Sequence, residues 1–119
     1  MQSQPEQLRD RTKAFALRVI RLFRSLPYKT DTQVLGKQLL RCGTSVAANY
    51  RAACRARSKA EFVARIGIVA EEADEAVLWL ELLIESGIIK TEMTEELLRE
   101  AKELAAILTA SQQTAKRTA

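Results

Sequence analysis

A chain of 119 residues is long enough to bury its own hydrophobic core, and its length predicts one domain spanning residues 1–119. Only four Gly and two Pro occur among many Ala, Leu, Glu, Arg and Lys residues, which favours an all-α fold. Histidine is absent, which excludes Ser-His and Cys-His nucleophiles and the Glu-His pairs of di-metal bundles. No apolar run reaches a membrane-spanning length and no signal peptide is visible at the start, so we expect a cytoplasmic protein.

The modest net charge of +4 hides an uneven distribution. Residues 1–60 contain thirteen basic and three acidic residues, a net charge of +10, while residues 61–119 contain six and twelve, a net charge of −6. This asymmetry suits binding of a polyanion by the first half. It equally suits self-association, in which basic helices of one subunit meet acidic helices of the next.

Helix 1 is predicted over about residues 5–26, since Ser3 and Pro5 form a typical helix start and Leu26 precedes a proline. Helix 2 follows over about residues 31–57, capped by Thr30 or Asp31. At helical spacing, one face of helix 2 is apolar: Leu35, Leu39, Cys42, Val46, Tyr50 and Ala53. The opposite face includes Arg41, Thr44, Ala48, Arg51 and Arg55, and no acidic residue occurs from position 32 to 60.

Helix 2 also contains two glycines and two cysteines, for which the sequence predicts different roles. Gly36 and Gly43 each cost about 1 kcal/mol relative to Ala inside a helix, which favours a close-packing role over simple tolerance. Cys42 and Cys54 lie twelve positions apart, or about 18 Å along the axis, too far for a disulfide. We expect both to be reduced, buried apolar groups.

Helix 3 is predicted over about residues 59–86, opened by a capping box at Ser58 and Glu61 and closed by Gly87. Beside its core stripe it carries a second apolar set, which predicts a partner surface: Ile68, Leu78, Trp79 and Leu82. Helix 4 is predicted over about residues 94–110 from Thr94, with a frayed tail at 111–119. Short connections favour an up-down-up-down antiparallel four-helix bundle.

Arginine forms bidentate contacts to phosphate, so the unpaired basic face is the best candidate for a working surface. The proposed nucleic-acid contacts are Arg41, Arg51, Arg55, Arg57 and Lys59, with Arg18, Arg21 and Arg24 of helix 1 as secondary contributors. Aromatic residues that could stack bases are few, and none alternates with basic residues, so backbone contacts fit better than base reading. The alternative is that these arginines only solubilise the chain or bridge subunits.

The acidic cluster of helix 3 is interpreted as a solvated face, or as one paired with basic helices: Glu71, Glu72, Asp74 and Glu75. We expect no metal, no cofactor and no catalytic residue.

The motifs S-V-A-A-N-Y at 45–50 and S-x-x-E-F at 58–62 resemble those of the four-helix-bundle proteins encoded in intervening sequences of bacterial 23S rRNA genes. The resemblance spans about residues 15–89 and extends to the accessory variability protein of diversity-generating retroelements. It implies a bundle assembled as a ring, typically a homopentamer, with a basic surface. After the Asn of the first motif many members carry an acidic residue and a small one, whereas Arg51-Ala52-Ala53 follows here and makes the surface more basic.

For the retroelement member the resemblance implies binding of nucleic acid and of a reverse transcriptase, whereas no function is established for the rRNA-encoded members. We therefore expect a non-enzymatic, homo-oligomeric bundle that binds structured RNA or DNA/RNA through its basic surface. The competing expectation is a protein-interaction scaffold, for example an accessory subunit of a reverse transcriptase or another polymerase.

Overall fold

The computed structural model describes residues 1–118, which form four helices and no strand. The helices are α1 (Gln4–Ser25), α2 (Thr30–Cys54), α3 (Lys59–Glu85) and α4 (Thr91–Arg117). None of these helices combines the length and the apolar character that a bilayer crossing requires.

Local capping chemistry fixes two helix starts and one helix end as predicted. The Ser3 hydroxyl accepts a hydrogen bond from the Glu6 backbone N–H (3.3 Å), and the Ser58 hydroxyl accepts one from Glu61 (3.0 Å). Gly87 has a φ of +80°, the left-handed conformation that closes α3 at low cost for a residue without Cβ.

The starts of α2 and α4 differ from the prediction. Lys29 and Lys90 are the N-cap residues, and neither provides a side-chain cap. The Asp31 carboxylate instead accepts a hydrogen bond from the Thr32 backbone N–H (2.8 Å) inside the first turn. Thr94 is buried within α4, where its hydroxyl donates to the Lys90 carbonyl (3.2 Å).

Two helix ends also need correction. Helix α2 stops at Cys54, not near residue 57, because Ser58 must adopt an extended backbone to cap α3 and the intervening residues form the turn. Helix α4 continues to Arg117, so the predicted frayed tail is wrong for residues 111–117. No Gly or Pro interrupts that segment, and the Gln112 side chain packs over Gly67 of α3. Ala119, the last residue of the predicted tail, lies outside the described residues.

All four helices contribute to one hydrophobic core, which includes Phe15, Leu39, Leu80 and Leu104. Helix α1 packs on α2, α2 on α3 and α3 on α4, while α1 and α4 meet over a shorter stretch. A half-buried ion pair joins α1 to α4, in which both Nε and Nη2 of Arg11 donate to the Glu100 carboxylate (3.1 and 2.6 Å).

The predicted close-packing role of the helix 2 glycines is confirmed. A Cβ built on Gly43 would lie 2.8 Å from a methyl carbon of Val19, and one built on Gly36 would lie 2.7 Å from a methyl carbon of Leu26. Both neighbours belong to α1 or its end, so the glycines allow α1 and α2 to approach closely.

The two cysteines occupy different environments. Cys42 is fully buried, as predicted, but Cys54 is exposed, so its predicted burial is wrong. Cys54 is the last residue of α2 and lines an open hollow beside Gln4 and Pro5 at the start of α1.

Three members of the predicted second apolar set of α3 are exposed by 38 to 46 %: Ile68, Leu78 and Leu82. Trp79 differs, because it is half-buried against the core and its indole N–H donates to a Glu75 carboxylate oxygen (3.4 Å). Helix α3 therefore presents a mixed apolar and acidic surface to solvent.

Candidate nucleic-acid interface

The expected unpaired basic face of α2 is interrupted at Arg41. Its Nη1 lies 3.1 Å from Glu72 Oε2, and its Nη2 lies 2.8 Å from Glu75 Oε1. Glu72 and Glu75 are three positions apart on α3 and thus share the side of that helix that meets α2. The expectation that Arg41 finds no carboxylate in its own chain is therefore wrong.

A thiol completes this cluster between α2 and α3. The Cys42 sulfur and the carboxylate oxygens of Glu72 and Glu75 lie within 4.8 Å of one another, a group of the kind that can hold a metal ion. The Arg41 guanidinium already contacts all three, with Nη2 3.2 Å from the sulfur. Burial, reinforced by the two carboxylates and opposed by Arg41, raises the pKa of the Cys42 thiol to about 12. Because the guanidinium contacts all three groups, this arrangement fits an arginine better than a metal ion.

Cations that lack such partners converge at the seam between α1 and α2. Arg9 and Lys13 of α1 and Arg51 of α2 line a groove of about 450 Å³. Small side chains complete its lining: Thr44, Ala47 and Ala48. Within residues 1–118, none of these three cations has a carboxylate oxygen within 4.0 Å. This α1–α2 groove is therefore open and cationic.

A row on α2 extends this groove toward the α1–α2 connection. Lys37, Thr44 and Arg51 are spaced by seven residues, so they follow one another along the same side of the helix. The Cα atoms of Lys37 and Arg51 are separated by about 21 Å along the axis, at about 1.5 Å per residue. Lys37 also lines a second hollow, of about 340 Å³, together with Tyr28 and Lys29.

Of the residues predicted from sequence, only Arg51 lies in the groove. Arg55 is the exposed C-cap residue of α2, and Arg57 is 91 % exposed with its Nε 3.8 Å from a Glu61 oxygen. The Lys59 ammonium donates to the Thr118 hydroxyl (3.0 Å), which holds it at the end of α4. These three cations cluster at the turn between α2 and α3, apart from the groove lining.

The predicted cations of α1 divide between two faces. Arg21 and Arg24 are exposed. Arg18 is half-buried and follows Arg11 by seven residues, so it lies on the side of α1 that faces α4. Arg9 and Lys13 were both missed by the sequence reasoning, although their i, i+4 spacing on α1 is a signal that could have found them.

The comparisons with known proteins agree with this fold. A protein with unknown function from the S23 ribosomal protein family of Bacteroides thetaiotaomicron VPI-5482, known from its crystal structure, superposes with a TM-score of 0.85 and 33 % sequence identity. The alignment covers 93 % of this chain and 99 % of that chain. A search of curated proteins gave no match. The sequence model of the family described as 23S rRNA-intervening sequence protein matches residues 7–110. With most of its length matched, the chain belongs to the 23S rRNA-intervening sequence protein family.

Proposed function

We propose that this protein is a non-enzymatic module that binds nucleic acid, structured RNA or DNA/RNA, through the α1–α2 groove. The observation that carries the proposal is the convergence of Arg9, Lys13 and Arg51, from two helices, on one groove without a carboxylate in its lining. Arg41 is not among the proposed nucleic-acid contacts, because its guanidinium is held by Glu72 and Glu75.

The groove supports backbone contacts in preference to base reading. Its lining contains cations and small residues but no aromatic side chain that could stack on a base. Phosphate contacts position a nucleic acid without reading its sequence, and their strength falls as salt rises because bound counterions are released. Three such contacts correspond to a slope of about 2 to 3 in log affinity against log salt.

The test compares two charge-removal variants in a salt titration. In the first, Arg9, Lys13 and Arg51 are all replaced by Gln, and in the control Arg41→Gln removes a cation that is already paired. Binding of an end-labelled RNA hairpin is followed by fluorescence anisotropy at several salt concentrations. We expect the triple variant to lose at least about tenfold in affinity and to flatten the salt slope by about 2 to 3.

Arg41→Gln should change the salt slope little, because the Arg41 guanidinium is already paired with Glu72 and Glu75 in the free protein. If the triple variant keeps wild-type affinity and slope, the groove is not the binding surface. Circular dichroism of each variant establishes that a loss of binding does not reflect a loss of fold.

The second candidate function is a protein-interaction scaffold, for example an accessory subunit of a reverse transcriptase or another polymerase. The exposed Ile68, Leu78 and Leu82 side chains favour it, since large apolar side chains on one helix are typical of protein contacts. Co-purification of a protein partner after nuclease treatment, abolished by Leu82→Lys but retained by the triple groove variant, would favour the scaffold over nucleic-acid binding.

The arrangement of the helices and the association of subunits are part of the same proposal. We propose an up-down-up-down order of the helices, which is supported by the pairing of Val63, early in α3, with Gln112, late in α4. We also propose a homo-oligomeric ring, with the pentamer that the family resemblance implies. Native mass spectrometry at increasing protein concentration tests it, and a monomer at every concentration would contradict it.

A further inference from the structure

We infer that the hollow at the α1–α2 connection binds an unpaired nucleotide, whose base stacks on Tyr28. The partner would then be a nucleic acid in which a paired or structured segment adjoins a single-stranded one. The inference rests on the proposed function, because it assigns the far end of the same binding surface.

Tyr28 is an unusual residue to leave in solvent. Its side chain is 91 % exposed and lies in the short connection between α1 and α2. Lys29, Lys37 and the 58 % exposed Val34 line the same hollow of about 340 Å³. An aromatic ring beside two ammonium groups and an apolar side chain offers both a stacking surface and phosphate contacts.

Charge complementarity selects a polyanion for this hollow. Its lining contains no acidic side chain: Tyr28, Lys29, Thr30, Gln33, Val34 and Lys37. The nearest acid in sequence, Asp31, does not line the hollow, and its carboxylate accepts the Thr32 backbone N–H (2.8 Å). The lining of the hollow is therefore cationic, like that of the α1–α2 groove.

The distance between the α1–α2 groove and the hollow beside Tyr28 limits which nucleic acids can bind both. Lys37 and Arg51 lie about 21 Å apart along α2. At about 3.4 Å per phosphate along one strand of a duplex axis, this distance spans about six phosphates. Bases inside a continuous duplex are stacked on their neighbours and cannot reach Tyr28, whereas a loop, a bulge or an overhang presents free bases. A backbone held in the groove would place such an unpaired base over the ring.

The experiment uses the full chain and two end-labelled RNA probes, a blunt duplex and the same duplex with a single-stranded overhang. Tyr28→Leu removes the stacking ring, and Tyr28→Phe is the matched control that keeps it. Stacking of one base contributes about 1 to 3 kcal/mol, so Tyr28→Leu should weaken overhang binding about 5- to 150-fold. Tyr28→Phe should bind the overhang like wild type, and neither variant should change binding of the blunt duplex.

Several outcomes overturn the inference. Wild-type binding of the overhang by Tyr28→Leu would show that no base stacks on the ring and would leave Tyr28 as a candidate contact for a protein partner. An equal loss on both probes would show that the ring does not distinguish unpaired bases. If the triple groove variant loses affinity while Tyr28→Leu does not, the inference alone fails. If the triple variant binds both probes like wild type, the proposed function fails first.

Discussion

Replacing Gly43 by Ala tests the close packing of α1 against α2. The new Cβ would meet three carbons of one side chain, the two methyl carbons and the Cβ of Val19, at 2.8, 2.9 and 3.0 Å. Val19 is fully buried and branches at Cβ, so it cannot rotate a flexible end out of the way. The helices must therefore separate.

The expected magnitude combines two opposing contributions. Alanine in a helix interior gains about 1 kcal/mol over glycine, while overpacking of a core costs about 1 to 3 kcal/mol. Because the crowded atoms lie at the branch point of Val19, we expect the upper part of that cost. The net result is a loss of about 1 to 2 kcal/mol in the free energy of unfolding.

Gly67→Ala is the matched control on another helix. There the new Cβ would meet the side-chain amide of Gln112, the far end of a flexible side chain whose hydrogen bond to the Val63 carbonyl is long (3.5 Å). Gln112 can move aside at little cost. The control should therefore range from neutral to about 1 kcal/mol more stable than wild type.

Urea unfolding at one fixed protein concentration measures both variants, with helical circular dichroism and the fluorescence of the half-buried Trp79 as probes. Gly43→Ala should lower the midpoint by about 0.5 to 1 M at an unchanged slope. Stability equal to or above wild type would refute the close-packing explanation. Adding Val19→Ala should reverse part of the penalty from Gly43→Ala, since the two changes share one space.

Three further predictions concern other contacts. Arg11→Gln removes the half-buried pair with Glu100 and should cost about 0.5 to 1 kcal/mol in urea unfolding, less at high salt; an unchanged midpoint at low salt would contradict it. A thiol reagent should modify the exposed Cys54 in the native protein and Cys42 only after unfolding, which mass spectrometry of the labelled peptides distinguishes. Because burial raises the pKa values of Cys42 and Tyr50, the unfolded chain loses these protons first as pH rises. The stability that they contribute is complete below about pH 9 and should decline from there toward pH 12, and Cys42→Ala should make that decline shallower.

Features with a local cause could be predicted from the sequence. Ser3, Ser58 and Gly87 act on backbone groups within a few residues, so each could be recognised without knowing its neighbours in space. The apolar periodicity of α2 likewise identified the face that contains Leu39 and Val46. Element type and the core face of a long amphipathic helix depend on the same short-range pattern.

Features that depend on a distant partner could not be predicted. The sequence shows that Arg41 points outward and that Glu72 and Glu75 are acidic, but not that they meet across 31 to 34 positions. The continuation of α4 depends in the same way on contacts with α3, such as the hydrogen bond that the Lys59 ammonium donates to the Thr118 hydroxyl (3.0 Å). Which residues line the α1–α2 groove depends on how α1 and α2 are rotated about their axes. Packing sets that rotation, so the lining could not be predicted from the sequence.

The cationic surface is thus a consequence of which helices adjoin, and composition alone does not produce it. Of the thirteen basic residues in positions 1–60, three reach a carboxylate of the second half: Arg11, Arg41 and Arg57. The other ten have none within 4.0 Å among the described residues. Helix α1 has acidic residues only at Glu6 and Asp10 and α2 only at Asp31, and none of the three forms an ion pair with Arg9, Lys13 or Arg51. On the flank of α2 nearer α3, Glu72 and Glu75 bind Arg41, which leaves the α1–α2 groove as a surface where cations from two helices meet no carboxylate among the described residues.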